Sequence, residues 1–111
     1  MNSNSAVLQQ LMQIIEQRRD EKSEKSYTAK LLAGGVPAIA AKIREEAAEV
    51  IEAAGETGDA GREHFVHEAA DLLYHLFVML ACKHVTLSDV EAELQKRFGM
   101  SGLDEKARRG K

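Results

Sequence analysis

The segment that most constrains this chain is the apolar run Leu72, Leu73, Leu76, Phe77, Val78, Met79 and Leu80, which sits inside a stretch with helical spacing over residues 62–83. At about 100° per residue these side chains cover most of a helix circumference, and a helix that is apolar all round has to be buried all round. A chain of 111 residues has too few other helices to surround a central one, because small domains bury a limited share of their surface. The expectation is an all-α bundle of four main helices, a single domain over 1–111, completed by a second copy of the chain as a homodimer or higher homo-oligomer.

Other punctuation fits that scheme. No segment alternates apolar and polar residues over the length of a strand. Leu8, Leu11, Met12 and Ile15 form the stripe of a first helix over residues 5–25, interrupted by Ser26-Tyr27-Thr28. A short helical turn over 29–33 should stop at Gly34-Gly35. Pro37, the one proline, suits the first turn of a second helix, where its missing N–H costs nothing. That helix should run to Ala54 and stop at Gly55, and residues 56–61, rich in glycine and aspartate, read as a loop. Ser88 with Glu91 reads as a capping box opening a fourth helix that Gly99 ends.

Composition narrows the function classes. Hydrophobic residues are 44% of the chain, enough for a core, and the net charge of −3 argues against a general nucleic-acid binder, which is usually basic. Cys82 is the only cysteine, so no intrachain disulfide forms and a reducing compartment is favoured. The N-terminus lacks the basic-then-apolar pattern of a signal peptide. The longest apolar stretch, Leu72 to Cys82, falls short of the about 20 residues that cross a bilayer. A cytoplasmic protein with no membrane partner is expected.

The residues that point to chemistry are acidic. Glu46 and Glu49 stand one helical turn apart beside the stripe of Ile39, Ile43 and Val50; Glu68 and Asp71 repeat the arrangement beside Phe65, Leu72 and Met79. Packed antiparallel, the two helices would bring four carboxylates together. Unpaired they would repel, and a divalent cation relieves that. An all-oxygen set suits magnesium first and manganese next. Magnesium shared between carboxylates and substrate phosphates implies phosphoryl chemistry. The opposing reading is a solvated acidic face, common on helices, and spacing alone stops at a candidate metal site. Histidine chemistry is excluded on pattern. His67-Glu68-Ala69-Ala70-Asp71 lacks the second histidine of a zinc-protease helix, and no histidine stands three residues after a glutamate, as a di-iron bundle requires. His64, His67 and His84 are expected at the surface, with His75 a polar contact near the site.

Glu45-Glu46-Ala47-Ala48-Glu49 followed by Glu68-Ala69-Ala70-Asp71 resembles the two-part acidic motif of MazG-type all-α nucleotide pyrophosphatases. Ser26-Tyr27-Thr28-Ala29-Lys30-Leu31-Leu32, Asp71-Leu72-Leu73-Tyr74-His75, Arg97-Phe98-Gly99-Met100-Ser101-Gly102 and Glu105-Lys106-Ala107 resemble its phosphoribosyl-ATP pyrophosphatase branch, from about Leu8 to Arg109. The resemblance implies hydrolysis of phosphoribosyl-ATP to phosphoribosyl-AMP and pyrophosphate, the second step of histidine biosynthesis, by a stand-alone form with a dimeric helical fold. It implies that Glu46, Glu49, Glu68 and Asp71 hold magnesium, with Glu45 the candidate to orient or deprotonate a water. Phosphates also need cationic donors. Lys30 and Lys42 are the favoured ones, and Arg97, Lys106 and Arg109 the weaker ones from the basic tail. The acidic motif alone also fits a housekeeping nucleoside triphosphate pyrophosphatase. A non-catalytic helical dimerisation module is the reading of another class, disfavoured because an interface gains nothing from burying unpaired charge.

Overall fold

In a computed structural model, which describes residues 3–21 and 26–98, the described residues form four helices. They are α1 (Ser3–Glu21), α2 (Tyr27–Ala54), α3 (Gly58–Cys82) and α4 (Leu87–Gln95). The all-α expectation holds.

Each boundary has a local cause. Ser26 is extended, and its Oγ accepts a hydrogen bond from the Ala29 N–H at 3.0 Å, so it caps α2 by satisfying one of the first-turn N–H groups that have no carbonyl partner within the helix. The helix therefore starts at Tyr27, two residues before the short turn expected from sequence. The break expected at Gly34-Gly35 is present as a kink inside α2: Gly35 has φ 72°, a conformation that glycine adopts without steric cost. Pro37 follows in the turn after it. Gly55 stops α2 as expected, but in a right-handed conformation.

The connection to α3 is shorter than its glycines suggest. Gly58 and Gly61 lie within α3 rather than in a loop over 56–61. A Cβ on Gly61 would stand 2.9 Å from the Glu56 backbone, so this glycine permits a close approach between helix and turn. The capping box of α4 also sits earlier than expected. Thr86 accepts from the Asp89 N–H while Asp89 accepts from the Thr86 N–H, both at 3.0 Å. Thr86 thus outcompetes Ser88. α4 ends at Gln95 with Lys96 as its C-cap, before the stop expected at Gly99, which itself lies outside the described residues.

α2 and α3 pack antiparallel. As residue numbers rise along α2 the partners on α3 fall: Tyr27 meets His75, Glu46 lies with Glu68, and Glu56 meets His64. α1 closes one side, contributing Met12 and Ile15 to a core with Leu31, Ile39, Phe77, Val78 and Ala81. Arg19 reaches across to donate to the Ala81 carbonyl at 3.0 Å, adding to the hydrogen bond that carbonyl accepts from the His84 N–H.

α3 itself has two faces. Glu68, His75, Phe77, Val78 and Ala81 are buried. Phe65, Val66, Leu73 and Leu76 are exposed, Val66 by 55%. At about 100° per residue these four fall within one arc of roughly 100°. By length and composition α3 could also cross a membrane, the one described helix that could. Core helices of soluble proteins share that property, and α3 carries Glu68 and Asp71 into contact with a second acidic helix.

Candidate metal and phosphate site

The two acidic pairs meet where α2 and α3 pack. Glu46 and Glu68 are buried at 7% and 8% exposure, and Asp71 is half-buried. One carboxylate oxygen from each of the three lies within 4.8 Å of the others. Two oxygens, Glu46 Oε2 and Glu68 Oε1, are buried with no nitrogen or hydroxyl donor reaching them. Such orphaned acceptors are costly, and a cation is the partner their chemistry suits.

Proton distribution within the cluster follows from this crowding. Burial, then Glu68, Glu49 and Asp71, push the Glu46 carboxyl up to about 7. Contact with Glu68 raises Glu49 as well. Burial also works to raise Glu68, but hydrogen bonds from Glu46, Glu49 and His64 outweigh it and hold Glu68 below the ordinary carboxylate range. In the metal-free cluster Glu46 therefore takes up a proton at higher pH than an ordinary carboxyl, while Glu68 favours its ionised form. A divalent cation does the same neutralising with two charges, at the cost of displacing that proton. The residues present therefore fit a hard divalent ion: Glu46, Glu68 and Asp71 could coordinate one, and Glu49 stands against Glu68 at the solvent side.

Histidines frame the cluster more closely than the sequence indicates. His64 is half-buried, with Nε2 3.1 Å from Glu68 Oε2 and Nδ1 2.9 Å from Glu56 Oε1. The Glu56 hydrogen bond is the main cause raising its pKa. His67, exposed, has Nε2 3.3 Å from Asp71 Oδ2. Sequence spacing alone places both at the surface. The signal was their position four residues before Glu68 and Asp71, the distance at which helical side chains meet.

The segment Ser26-Tyr27-Thr28 is a latch between helices. The backbone carbonyl of Asp71 can only accept, so the His75 Nδ1–H donates to it, at 2.8 Å. That leaves His75 Nε2 to the Tyr27 hydroxyl at 2.7 Å. Thr28 and Tyr74 share a hydroxyl–hydroxyl hydrogen bond, and the rings of Tyr27, Tyr74 and His75 pack on one another. Burial raises the Tyr27 hydroxyl's pKa, so it remains a donor. The start of α2 is thereby tied to the turn of α3 that carries Asp71. His75 is the polar contact expected from sequence.

The remaining predicted residues divide by position. Glu45 is exposed and its Oε1 lies 3.2 Å from Lys42 Nζ, outside the triad that converges. The Glu45 hydrogen bond is the main cause raising Lys42, which keeps this ammonium charged beside the cluster. Lys30 is exposed on the first turns of α2. Arg97 lies beyond α4 with Nη2 3.6 Å from Glu93 Oε2. Lys106 and Arg109 lie outside the described residues.

The sequence model of a family described as phosphoribosyl-ATP pyrophosphohydrolase matches residues 8–98. The chain is 52% identical over 102 residues to a phosphoribosyl-ATP pyrophosphatase of Rhodopirellula baltica, covering 92% of this chain and 85% of that one. It is 48% identical over 110 residues to that of Parvibaculum lavamentivorans, covering 99% and 98%. A histidine biosynthesis bifunctional protein of Helicobacter hepaticus is 48% identical over 103 residues, 93% of this chain but 43% of the longer protein.

Proposed function

Since the chain belongs to the phosphoribosyl-ATP pyrophosphohydrolase family, we propose the reading in which it hydrolyses phosphoribosyl-ATP to phosphoribosyl-AMP and pyrophosphate within histidine biosynthesis. It is a hydrolase acting on a phosphoric anhydride. One P–O–P bond breaks, the oxygen of water joins phosphorus, and pyrophosphate leaves. The observation that carries the chemistry is the triad Glu46, Glu68 and Asp71, the two glutamates buried and each with one carboxylate oxygen that no nitrogen or hydroxyl donor reaches.

In this reading Glu46, Glu49, Glu68 and Asp71 hold magnesium, or manganese in its place. When bound, the ion supplies neutralisation of the triphosphate and a more acidic water. The chain's residues do the rest. Lys42, charged and one turn before Glu46 and Glu45, is placed to meet a phosphate oxygen. Lys30, on the same helix, is a second donor, and Arg97, Lys106 and Arg109 are candidates to close over the substrate from the C-terminal segment. Glu45 remains outside the triad with Lys42 on one oxygen, so it is the carboxylate left to orient or deprotonate the attacking water. The latch from Tyr27 through His75 holds the backbone of Asp71, keeping the ligand pairs in register.

We further propose a homodimer, with the outward stripe of Phe65, Val66, Leu73 and Leu76 on α3 covered by a second copy. Three side chains, Ile15, Ile39 and Val78, are the large ones fully buried among the described residues, a small core for a chain with such an apolar central helix. A cytoplasmic location accords with this reading. The test of function is incubation with phosphoribosyl-ATP against nucleoside triphosphates. Preference for ATP or dNTPs over phosphoribosyl-ATP would favour the housekeeping alternative.

A further inference from the structure

We infer that His64, itself held by Glu56, is a positioning residue that aims Glu68 into the cation site. The inference rests on the reading that Glu46, Glu68 and Asp71 hold a divalent ion. Glu68 divides its two oxygens: Oε2 is 3.1 Å from His64 Nε2, whereas Oε1 is buried beside the other carboxyls with no donor. A glutamate side chain has three rotatable bonds, and fixing one oxygen from behind fixes where the other points. The ring is in turn fixed from its far side. Glu56 places both oxygens near Nδ1, at 2.9 and 3.1 Å.

The geometry joins the turn after α2 to the metal-facing carboxylate on α3 through a single imidazole. Gly61, with no side chain to fend off the Glu56 backbone, lets that turn come close enough to α3 for Glu56 to reach the ring. Groups that hydrogen-bond a metal ligand from outside set its orientation, and their loss costs metal affinity by about tenfold or more.

The test is Mn2+ binding to the full-length metal-free protein, followed by calorimetry and by loss of the free-ion electron paramagnetic signal. Wild type should bind and Glu68→Ala should not. Against that frame His64→Phe, which keeps a ring and removes both nitrogens, should raise Kd by about tenfold. His64→Gln, whose amide can still reach Glu68, should stay within about threefold of wild type. Glu56→Ala, at an exposed position, should weaken binding in the same direction and covers the case in which His64→Phe misfolds. Equal Mn2+ affinity for wild type, His64→Phe and Glu56→Ala would overturn the positioning role while leaving the cation site intact. Failure of wild type to bind, or unchanged binding by Glu68→Ala, would instead overturn the cation site and the positioning role with it.

Discussion

Replacing Glu46 by glutamine should make the metal-free protein more stable while destroying its response to magnesium. Glu46 is buried, and its carboxyl is pushed from 4.5 up to about 7. A group that binds its proton more tightly folded than unfolded adds stability at low pH and loses it as pH rises towards the folded value. Between pH 4.5 and 7 the metal-free protein therefore loses stability from this group, and above 7 the loss is complete. At about 1.4 kcal/mol per pH unit the full penalty is roughly 3 kcal/mol. Glutamine removes the charge but still buries a polar amide among carboxyls, which takes back about 1 kcal/mol. The net gain at pH 8 is then about 1–2 kcal/mol, or roughly 4–8 °C in Tm for a chain of this size. Calorimetric melting of wild type and Glu46→Gln, across pH 4.5 to 8.5 with and without magnesium, reads this directly. Near pH 4.5 the variant should lie about 1 kcal/mol below wild type, and the two curves should cross and then part as pH rises. Magnesium should lift the wild-type Tm, as any ligand of the folded state does, and lift the variant little. A variant less stable than wild type at pH 8, or a gap that does not widen with pH, would refute the crowded-carboxylate argument.

Other outcomes follow from the same geometry. Glu49→Gln and Asp71→Asn should each remove most turnover and leave the fold intact; near-normal turnover in both would mean the site is misplaced. Activity should require magnesium or manganese, with zinc a poor substitute for an all-oxygen site, and full turnover after exhaustive chelation would contradict this. Leu76→Asp, on the exposed stripe of α3, should yield smaller species in sedimentation, whereas Phe77→Asp, in the core, should reduce folded protein by burying an unpaired ion; a wild-type chain that sediments as a stable monomer at micromolar concentration refutes the dimer. Tyr27→Phe should lower Tm by about 1 kcal/mol equivalent through loss of its hydrogen bond to His75, and an unchanged Tm would show that the latch does not hold α2 to α3.

Much of this was legible in the sequence because it depends on helical period. The i, i+3 spacing of Glu46 with Glu49 and of Glu68 with Asp71 beside apolar stripes places carboxylates at the edge of a packed face, and the structure brings Glu46, Glu68 and Asp71 together there. Pro37 and the glycines before it mark a break in α2 that is real. What was not legible depends on competition between neighbours. Thr86 and Ser88 both can cap a helix, and only the partner geometry of Asp89 selects Thr86. Gly58 and Gly61 carry the composition of a loop, yet one is needed for its backbone angle and the other for a close approach. His64 reads as a surface residue because its role depends on Glu56, eight residues earlier, across a turn whose shape the sequence does not state. The outward stripe on α3 shows the same limit from the other side: its apolar character is plain, and among the described residues it stays exposed.

Pyrophosphate release from phosphoribosyl-ATP by the purified chain, in magnesium and after chelation, tests the central claim most directly. Rapid, magnesium-dependent formation of equal amounts of pyrophosphate and phosphoribosyl-AMP is the predicted result, lost in Asp71→Asn. No pyrophosphate from a folded wild-type protein in magnesium, or the same yield from Asp71→Asn, would contradict it.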